Sequence, residues 1–162
     1  MTGIGLLVLR LVLAAVLVAH GAHDVFGAFG DAGAGAGGLA NTAAYFTKIG
    51  FTQGYPLAIL AGALQLVGGM LIAIGLLSRW ISLALIGLYG LLVWKEHAKW
   101  GFFLNWTNDQ TRGHGMEFAV LMSGALLCLI LAGAGEWSLD GRRAQSRESR
   151  AAGRARARLR DR

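Results

Sequence analysis

The sequence predicts an all-α membrane protein, a four-transmembrane-helix antiparallel bundle with a short interfacial helix in the first outer loop. Apolar residues make up 55% of the 162 residues and charged residues only 15%, whereas soluble domains carry about 25% charged residues. The apolar residues are concentrated in four runs of roughly 20 residues, the length of a helix that spans a bilayer. These runs are apolar on every side, unlike the one-sided helices of a soluble bundle.

The four runs form one predicted transmembrane domain over residues 1–140, with spans at 3–26, 56–77, 80–97 and 114–134. In the first span, Arg10 interrupts the apolar run and no basic segment precedes it, which favours a retained helix over a cleaved signal peptide. The second span has Gln65 as its one strongly polar residue. Glu117 is expected one turn inside the start of the fourth span.

A short helix is predicted in the connection after the first span. Asn41 or Thr42 is the expected N-cap, and Gly50 is the expected stop. This helix is expected to lay three side chains on the membrane surface: Tyr45, Phe46 and Ile49.

Positive charge is concentrated at the C-terminus. The net charge is +6, and residues 142–162 hold nine Arg with only Glu148 and Asp161 as acids, a local charge of +7. The rest of the chain is close to neutral, which argues against a nucleic-acid partner. Basic residues mark the cytoplasmic side of a membrane protein. The basic tail over 141–162, with Arg79 in the second connection, therefore predicts a multi-pass inner-membrane protein with both termini in the cytoplasm.

The tail itself has two open interpretations. It is either a solvated topology signal or a helix that aligns Arg side chains on one face. Such a helix would bind anionic membrane lipids, at about 1 kcal/mol for each basic residue near the surface.

Ionisable side chains within the spans predict a polar pocket. A charged group that faces hydrocarbon costs at least about 2.5 kcal/mol, so such groups turn inward, pair or line a site. In antiparallel spans, His20, His97 and Glu117 all lie towards the outer side. We therefore predict an outer pocket in which His97 and Glu117 exchange protons with a substrate. Arg10, His20 and Gln65 are its predicted polar, substrate-binding groups.

Two alternatives for these side chains stay open. Two His and one carboxylate form a known metal-ligand set, but no HxxxH or HExxH spacing supports a metal site here, and we expect none. The same groups also suit hydrogen bonds between helix ends that only fix the bundle.

Other patterns concern packing. Glu96 is predicted to pair with Lys99, and Cys128 is predicted to be buried in the fourth span. The sequence has no nucleotide-binding glycine pattern. Glycines in the second and third spans are instead expected to allow close helix approach: Gly62, Gly68, Gly69, Gly75, Gly87 and Gly90.

Several short motifs, in order along residues 4–140, resemble the DoxX family of small membrane proteins. The first span carries LRL and then HGAHDVFG, and the second carries QLVGG and then GLLSR. His97, GME at 115–117 and GEWSLD at 135–140 fit the family as well. Two positions depart from the family pattern: Asp24 stands where the family usually has Lys, and Gln65 where it usually has Glu.

The resemblance implies a small membrane subunit of a quinone-linked redox complex, of the thiosulfate:quinone oxidoreductase or quinol oxidase type. It implies quinone or quinol as the ligand, no covalently bound cofactor, and other redox subunits and membrane lipids as partners. The alternative is a non-catalytic membrane anchor or assembly protein, including a subunit of an oxidative-stress complex. A transporter is a third, weaker alternative. Catalysis by the chain itself and homo-oligomer formation stay open.

Overall fold

The computed structural model describes residues 2–30, 37–107, 109 and 111–160. In these residues the fold is all-helical, with no β-strand. The six α-helices are α1 (Thr2–Phe26), α2 (Leu39–Lys48), α3 (Gly54–Ile74), α4 (Ser78–Lys95), α5 (Glu117–Ala132) and α6 (Leu139–Arg160). A 3-10 helix, His97–Trp100, follows α4. The predicted all-α class is thus confirmed.

Within the described residues, two helices are long and apolar enough to cross a membrane, Gly3–Phe26 and Gly54–Ile74. The third and fourth apolar runs form shorter helices than the spans predicted for them. α4 ends at Lys95, so Glu96 and His97 lie beyond it. α5 has 16 residues, a length of about 24 Å at 1.5 Å per residue. Glu117 is its first residue rather than a residue one turn inside it.

The four apolar helices close a ring. α1 packs mainly on α3 and α4 mainly on α5, while α3 also contacts α4 and α1 also contacts α5. α3 and α4 are joined by a tight turn in which Gly75 has a left-handed φ of 70°. A side chain at Gly75 would collide with the Arg10 guanidinium and with Ser138, so this turn requires glycine.

Glycines bring α1 and α3 into close contact. A Cβ atom at Gly21 would lie 2.7 Å from Leu66 Cα, and one at Gly69 would lie 2.9 Å from Leu17 Cβ. Small residues permit this approach because they let the two backbones come together. The expectation was wrong for Gly87 and Gly90, because a Cβ atom at either would meet no atom within 4 Å among the described residues.

α2 packs against the N-terminal half of α3. Phe46 is 3% exposed, and with Ala43 it forms a cluster with Ala58 and Ala61 of α3. The prediction that Phe46 lies on the membrane surface is therefore wrong, since a helix partner covers it. α2 also begins earlier than expected, with Gly38 at the N-cap.

Large apolar side chains cover the outside of the ring. Only 22% of the apolar window of α1 and 39% of that of α3 is buried inside the protein. Leu60, Leu121 and Leu131 are among the side chains more than 60% exposed. Soluble proteins rarely expose contiguous apolar surface of this extent. Cys128 is also exposed, so the prediction that it is buried was wrong.

The basic tail begins as a helix. α6 has 22 residues, and Arg143, Arg147 and Arg150 are exposed on it. Of the two interpretations of the tail, the helical one describes its backbone up to Arg160. Residues 161 and 162, and the side chains of 153–160, lie outside the described part.

Candidate functional site

A buried polar pair joins α1 to α3. Gln65 Nε2 donates a hydrogen bond of 2.7 Å to Asp24 Oδ2. Gln65 is 8% exposed and lies at the midpoint of α3, about 16 Å from the start of that helix. The close approach of the two helices at Gly21 brings these side chains together. Asp24 is partly buried and lies two residues before the end of α1, so it places a carboxyl group at this end of the interface between α1 and α3.

Tyr89 of α4 completes a cluster with this pair. It is 5% exposed, and its hydroxyl is buried with no hydrogen-bond partner among the described residues. The Tyr89 hydroxyl and the His20 ring both lie near the Asp24 carboxyl group, without a hydrogen bond to it among the described residues. A buried hydroxyl without a partner is costly and rare in native proteins. We call Asp24, Gln65, Tyr89 and His20 the Asp24 cluster.

An aromatic side chain of α5, Phe118, contacts two members of the cluster. The Phe118 ring centroid lies 5.5 Å from that of His20 and 6.3 Å from that of Tyr89. His20 itself is exposed on the outside of the protein. The cluster therefore extends from the core to the surface that α1 and α5 present.

α2 covers the outer side of the cluster. The Thr42 hydroxyl donates a 2.9 Å hydrogen bond to the Asp24 carbonyl oxygen. Burial, with a contribution from the nearby carboxylates of Glu96 and Asp24, raises the pKa of Tyr45 to about 12. Tyr45 therefore stays protonated at neutral pH and keeps its O–H as a hydrogen-bond donor.

His97 and Glu117 lie in the outer loop region and bind backbone groups there. His97 Nδ1 is 2.9 Å from the His114 carbonyl oxygen. Glu117 Oε2 accepts a hydrogen bond of 3.1 Å from the Leu104 N–H. No hydrogen bond joins His20, His97 and Glu117 to one another in the described part of the chain. No three His, Cys, Asp or Glu side chains there lie close enough to hold a metal ion.

Asn105 organises the same outer loop, a role that sequence reasoning missed. It is 7% exposed, and its amide donates to the carbonyl oxygens of Asp109 at 2.8 Å and Arg112 at 2.7 Å. Hydrogen bonds from the Thr111 hydroxyl and N–H lower the pKa of Asp109. The signal that could have shown this role is the type of residue, because Asn side chains in polar loops form hydrogen bonds to nearby backbone groups.

The predicted Glu96–Lys99 pair is confirmed, with a distance of 2.7 Å between Lys99 Nζ and Glu96 Oε2. The Trp100 indole N–H donates a second hydrogen bond to Glu96, at 2.9 Å. This acid therefore has two hydrogen-bond partners, neither of which belongs to the Asp24 cluster.

Arg10 lies at the opposite end of α1, about 21 Å along the helix from Asp24. It is 1% exposed, and its guanidinium donates to the carbonyl oxygens of Ala134 at 3.0 Å and Trp137 at 2.8 Å. Asp140 attracts it electrostatically and also accepts a hydrogen bond from the Ser78 N–H. Arg10 thus ties α1 to the segment between α5 and α6 and does not meet the other predicted site residues.

Comparison with protein families shows which family this chain belongs to. The DoxX family model matches residues 5–98, more than half of the chain, which covers α1 from its fourth residue and the whole of α2, α3 and α4. The chain belongs to the DoxX family. No curated protein and no solved structure matches it.

Membership confirms the predicted resemblance and makes this chain a small membrane protein of the DoxX family. The matched region contains Arg10 and the whole Asp24 cluster. Glu117 and α6 lie beyond it. Sequence reasoning gave no role to Tyr89, because one tyrosine in an apolar run is usual in a membrane helix, and only its buried, unpartnered hydroxyl sets it apart.

Proposed function

We propose that this DoxX-family protein is a small membrane subunit of a quinone-linked redox complex, of the thiosulfate:quinone oxidoreductase or quinol oxidase type. The Asp24 cluster is its quinone-facing group. The observation that carries the proposal is a partly buried carboxyl group, Asp24, that accepts a hydrogen bond from Gln65 near the buried Tyr89 hydroxyl, which has no partner among the described residues. An ionisable group between apolar membrane helices is costly and usually functional.

The proposal includes four membrane spans with both termini in the cytoplasm. Each of α1, α3, α4 and α5 exposes large apolar side chains, among them Val12, Leu60, Leu83 and Leu131. Burial in lipid accounts for this surface because no other helix covers it. The Arg residues of α6 lie on the same side as the α3–α4 turn, as a cytoplasmic face requires.

The chemistry suits a quinone because its carbonyl oxygens need hydrogen-bond donors and protons. Reduction to the quinol takes two electrons, which the partner redox subunits supply, and two protons. The Tyr89 hydroxyl donates a hydrogen bond to one quinone oxygen. Asp24 gives one of the two protons to that oxygen or receives one from the quinol, and water at the exposed surface supplies or takes up the second. Gln65 holds the Asp24 carboxyl group in place.

The test is quinone-linked electron transfer by the complex purified from native membranes. Asp24→Asn keeps the hydrogen-bond acceptor for Gln65 but removes the exchangeable proton, and Tyr89→Phe removes the donor. We expect each change to lower the rate at least 10-fold, since a positioned acid or base contributes about 10²–10⁴. Glu96→Gln is the matched control, because this acid is paired at the surface, and its rate should stay within twofold of the native rate.

The variants His97→Ala and Glu117→Gln belong in the same series. Their contacts with the backbone predict a weaker effect than that of Asp24→Asn. If they abolish electron transfer and Asp24→Asn does not, the proton-exchanging pair is His97 and Glu117. If all four variants retain the native rate in an intact complex, the quinone proposal is wrong.

A second candidate is a non-catalytic anchor or assembly protein. It is favoured by the same backbone contacts of His97 and Glu117, which give both side chains a structural use, and by the exposed basic surface of α6. Deletion of residues 142–162 should then release partner proteins in pull-downs while the apolar helices stay folded. Partners that remain bound to the truncated protein would count against an anchoring tail.

A further inference from the structure

A cleft opens at the inner end of the ring, where α4 begins, α5 ends and α6 starts. Its volume is about 540 Å³. Its walls combine apolar groups, such as Leu77 and Ala132, with the charged side chains of Arg79, Glu136 and Asp140. The first turns of α6 close one side through Ala144 and Gln145.

The cleft contains both positive and negative side chains, and two of them have no ion pair among the described residues. Arg79 lies against the cleft wall, with Nη2 3.4 Å from the position of a Cβ atom on Gly133. In the described residues Arg79 has no ion pair, and Glu136 is exposed without one. Asp140, in contrast, accepts a hydrogen bond from the Ser78 N–H and lies near Arg10. One cation and one anion are therefore left to bind a ligand.

The position of the cleft points to a lipid. Trp80, which lines it, is 72% exposed, and nearby Trp137 is 63% exposed. Tryptophan favours the level of the headgroups at a membrane surface. From the cleft, exposed Leu77 and Leu131 lead onto the apolar surface of α4 and α5, where acyl chains can lie.

We propose that this cleft binds the headgroup of a phospholipid that carries a primary ammonium group, as phosphatidylethanolamine does. Arg79 binds the phosphodiester, since a guanidinium pairs with two phosphate oxygens at once. Glu136 binds the ammonium group. A headgroup with a second negative charge or with only hydroxyl groups leaves the Glu136 carboxylate without a cation, so phosphatidylglycerol binds less tightly.

The experiment uses the full-length protein in detergent with short-chain lipids, and measures bound lipid by native mass spectrometry. The native protein should retain phosphatidylethanolamine at least fivefold more tightly than phosphatidylglycerol. Equal or reversed affinities would contradict the ammonium assignment without any variant.

Two variants and one control then assign the residues. Arg79→Gln should weaken the binding of both lipids at least fivefold, whereas Glu136→Gln should remove the preference for phosphatidylethanolamine. Arg143→Gln is the matched control, because Arg143 is exposed on α6 but does not line the cleft, and it should bind as the native protein does. Native affinities in Arg79→Gln would overturn the site. The outcome is independent of quinone-linked electron transfer, which concerns the other end of α1.

Discussion

Asp24 and Gln65, which contact each other, are the two positions that depart from the DoxX pattern. The family usually has Lys and Glu there, and this chain has a carboxyl group facing an amide at 2.7 Å. A contact between the two positions gives a physical reason for a joint change, because a change at one alters the charge that the other must balance. The sequence could not show that Tyr89 completes the cluster, because helix periodicity does not tell which faces meet.

The pair makes a prediction about charge. Gln65→Glu alone places two carboxyl groups within hydrogen-bonding distance, and they cannot both ionise there. We expect a loss of about 1–3 kcal/mol, seen as a lower unfolding temperature in detergent. Asp24→Lys together with Gln65→Glu restores a pair of opposite charges and should recover most of that loss. A double variant no more stable than Gln65→Glu would mean that the two side chains do not interact.

Arg10 shows another limit of sequence reasoning at this scale. An arginine in an apolar run must turn inward, and it does so. Its partners, however, are the carbonyl oxygens of Ala134 and Trp137, 124 and 127 residues away. Only the tertiary fold shows that it stabilises the inner end and does not meet the Asp24 cluster.

Arg10→Met should therefore destabilise the protein. It removes two charge-assisted hydrogen bonds from a buried guanidinium to the carbonyl oxygens of Ala134 and Trp137, a loss of about 3–5 kcal/mol. Arg143→Met, at an exposed position of α6, should change the unfolding temperature little. An unchanged unfolding temperature in Arg10→Met would rule out this structural role.

At the level of elements, the contact between α1 and α3 fixes the site because it brings Asp24 to Gln65. Composition predicted close helix approach through glycines, and this holds for Gly62 and Gly69. It fails for Gly87 and Gly90, since a count of glycines does not tell which of them face a neighbouring helix. In the same way, an apolar residue such as Phe46 could not be assigned from sequence to lipid or to α3.

Two glycines of α1 provide a matched test of this packing. A Cβ atom at Gly21 collides with the backbone of Leu66, whereas one at Gly5 meets nothing within 4 Å among the described residues. Gly21→Ala should destabilise by about 1–3 kcal/mol through overpacking. Gly5→Ala should be neutral or stabilise by up to about 1 kcal/mol through helix propensity. Equal unfolding temperatures for the two variants would contradict the close contact.

On the scale of the whole molecule, the two ends of the ring have different chemistry. One end carries the organised outer loop and α2 above the Asp24 cluster, and the other carries Arg10, the mixed-charge cleft and the basic helix α6. The all-helical fold followed from the apolar runs, because their length and uniformity leave few alternatives. The helical state of the tail did not, since an Arg- and Ala-rich segment suits both a helix and a solvated coil.

The proposed topology places these two ends on opposite sides of the membrane, and cysteine labelling tests it directly. In a Cys128→Ser background, single variants Ala98→Cys in the outer 3-10 helix and Ala151→Cys in α6 are treated in intact cells with a membrane-impermeant maleimide. Both alanines are exposed. The label should reach position 98 from outside and position 151 only after the membrane is permeabilised. Labelling of position 151 in intact cells would place the basic helix outside and contradict the proposed topology.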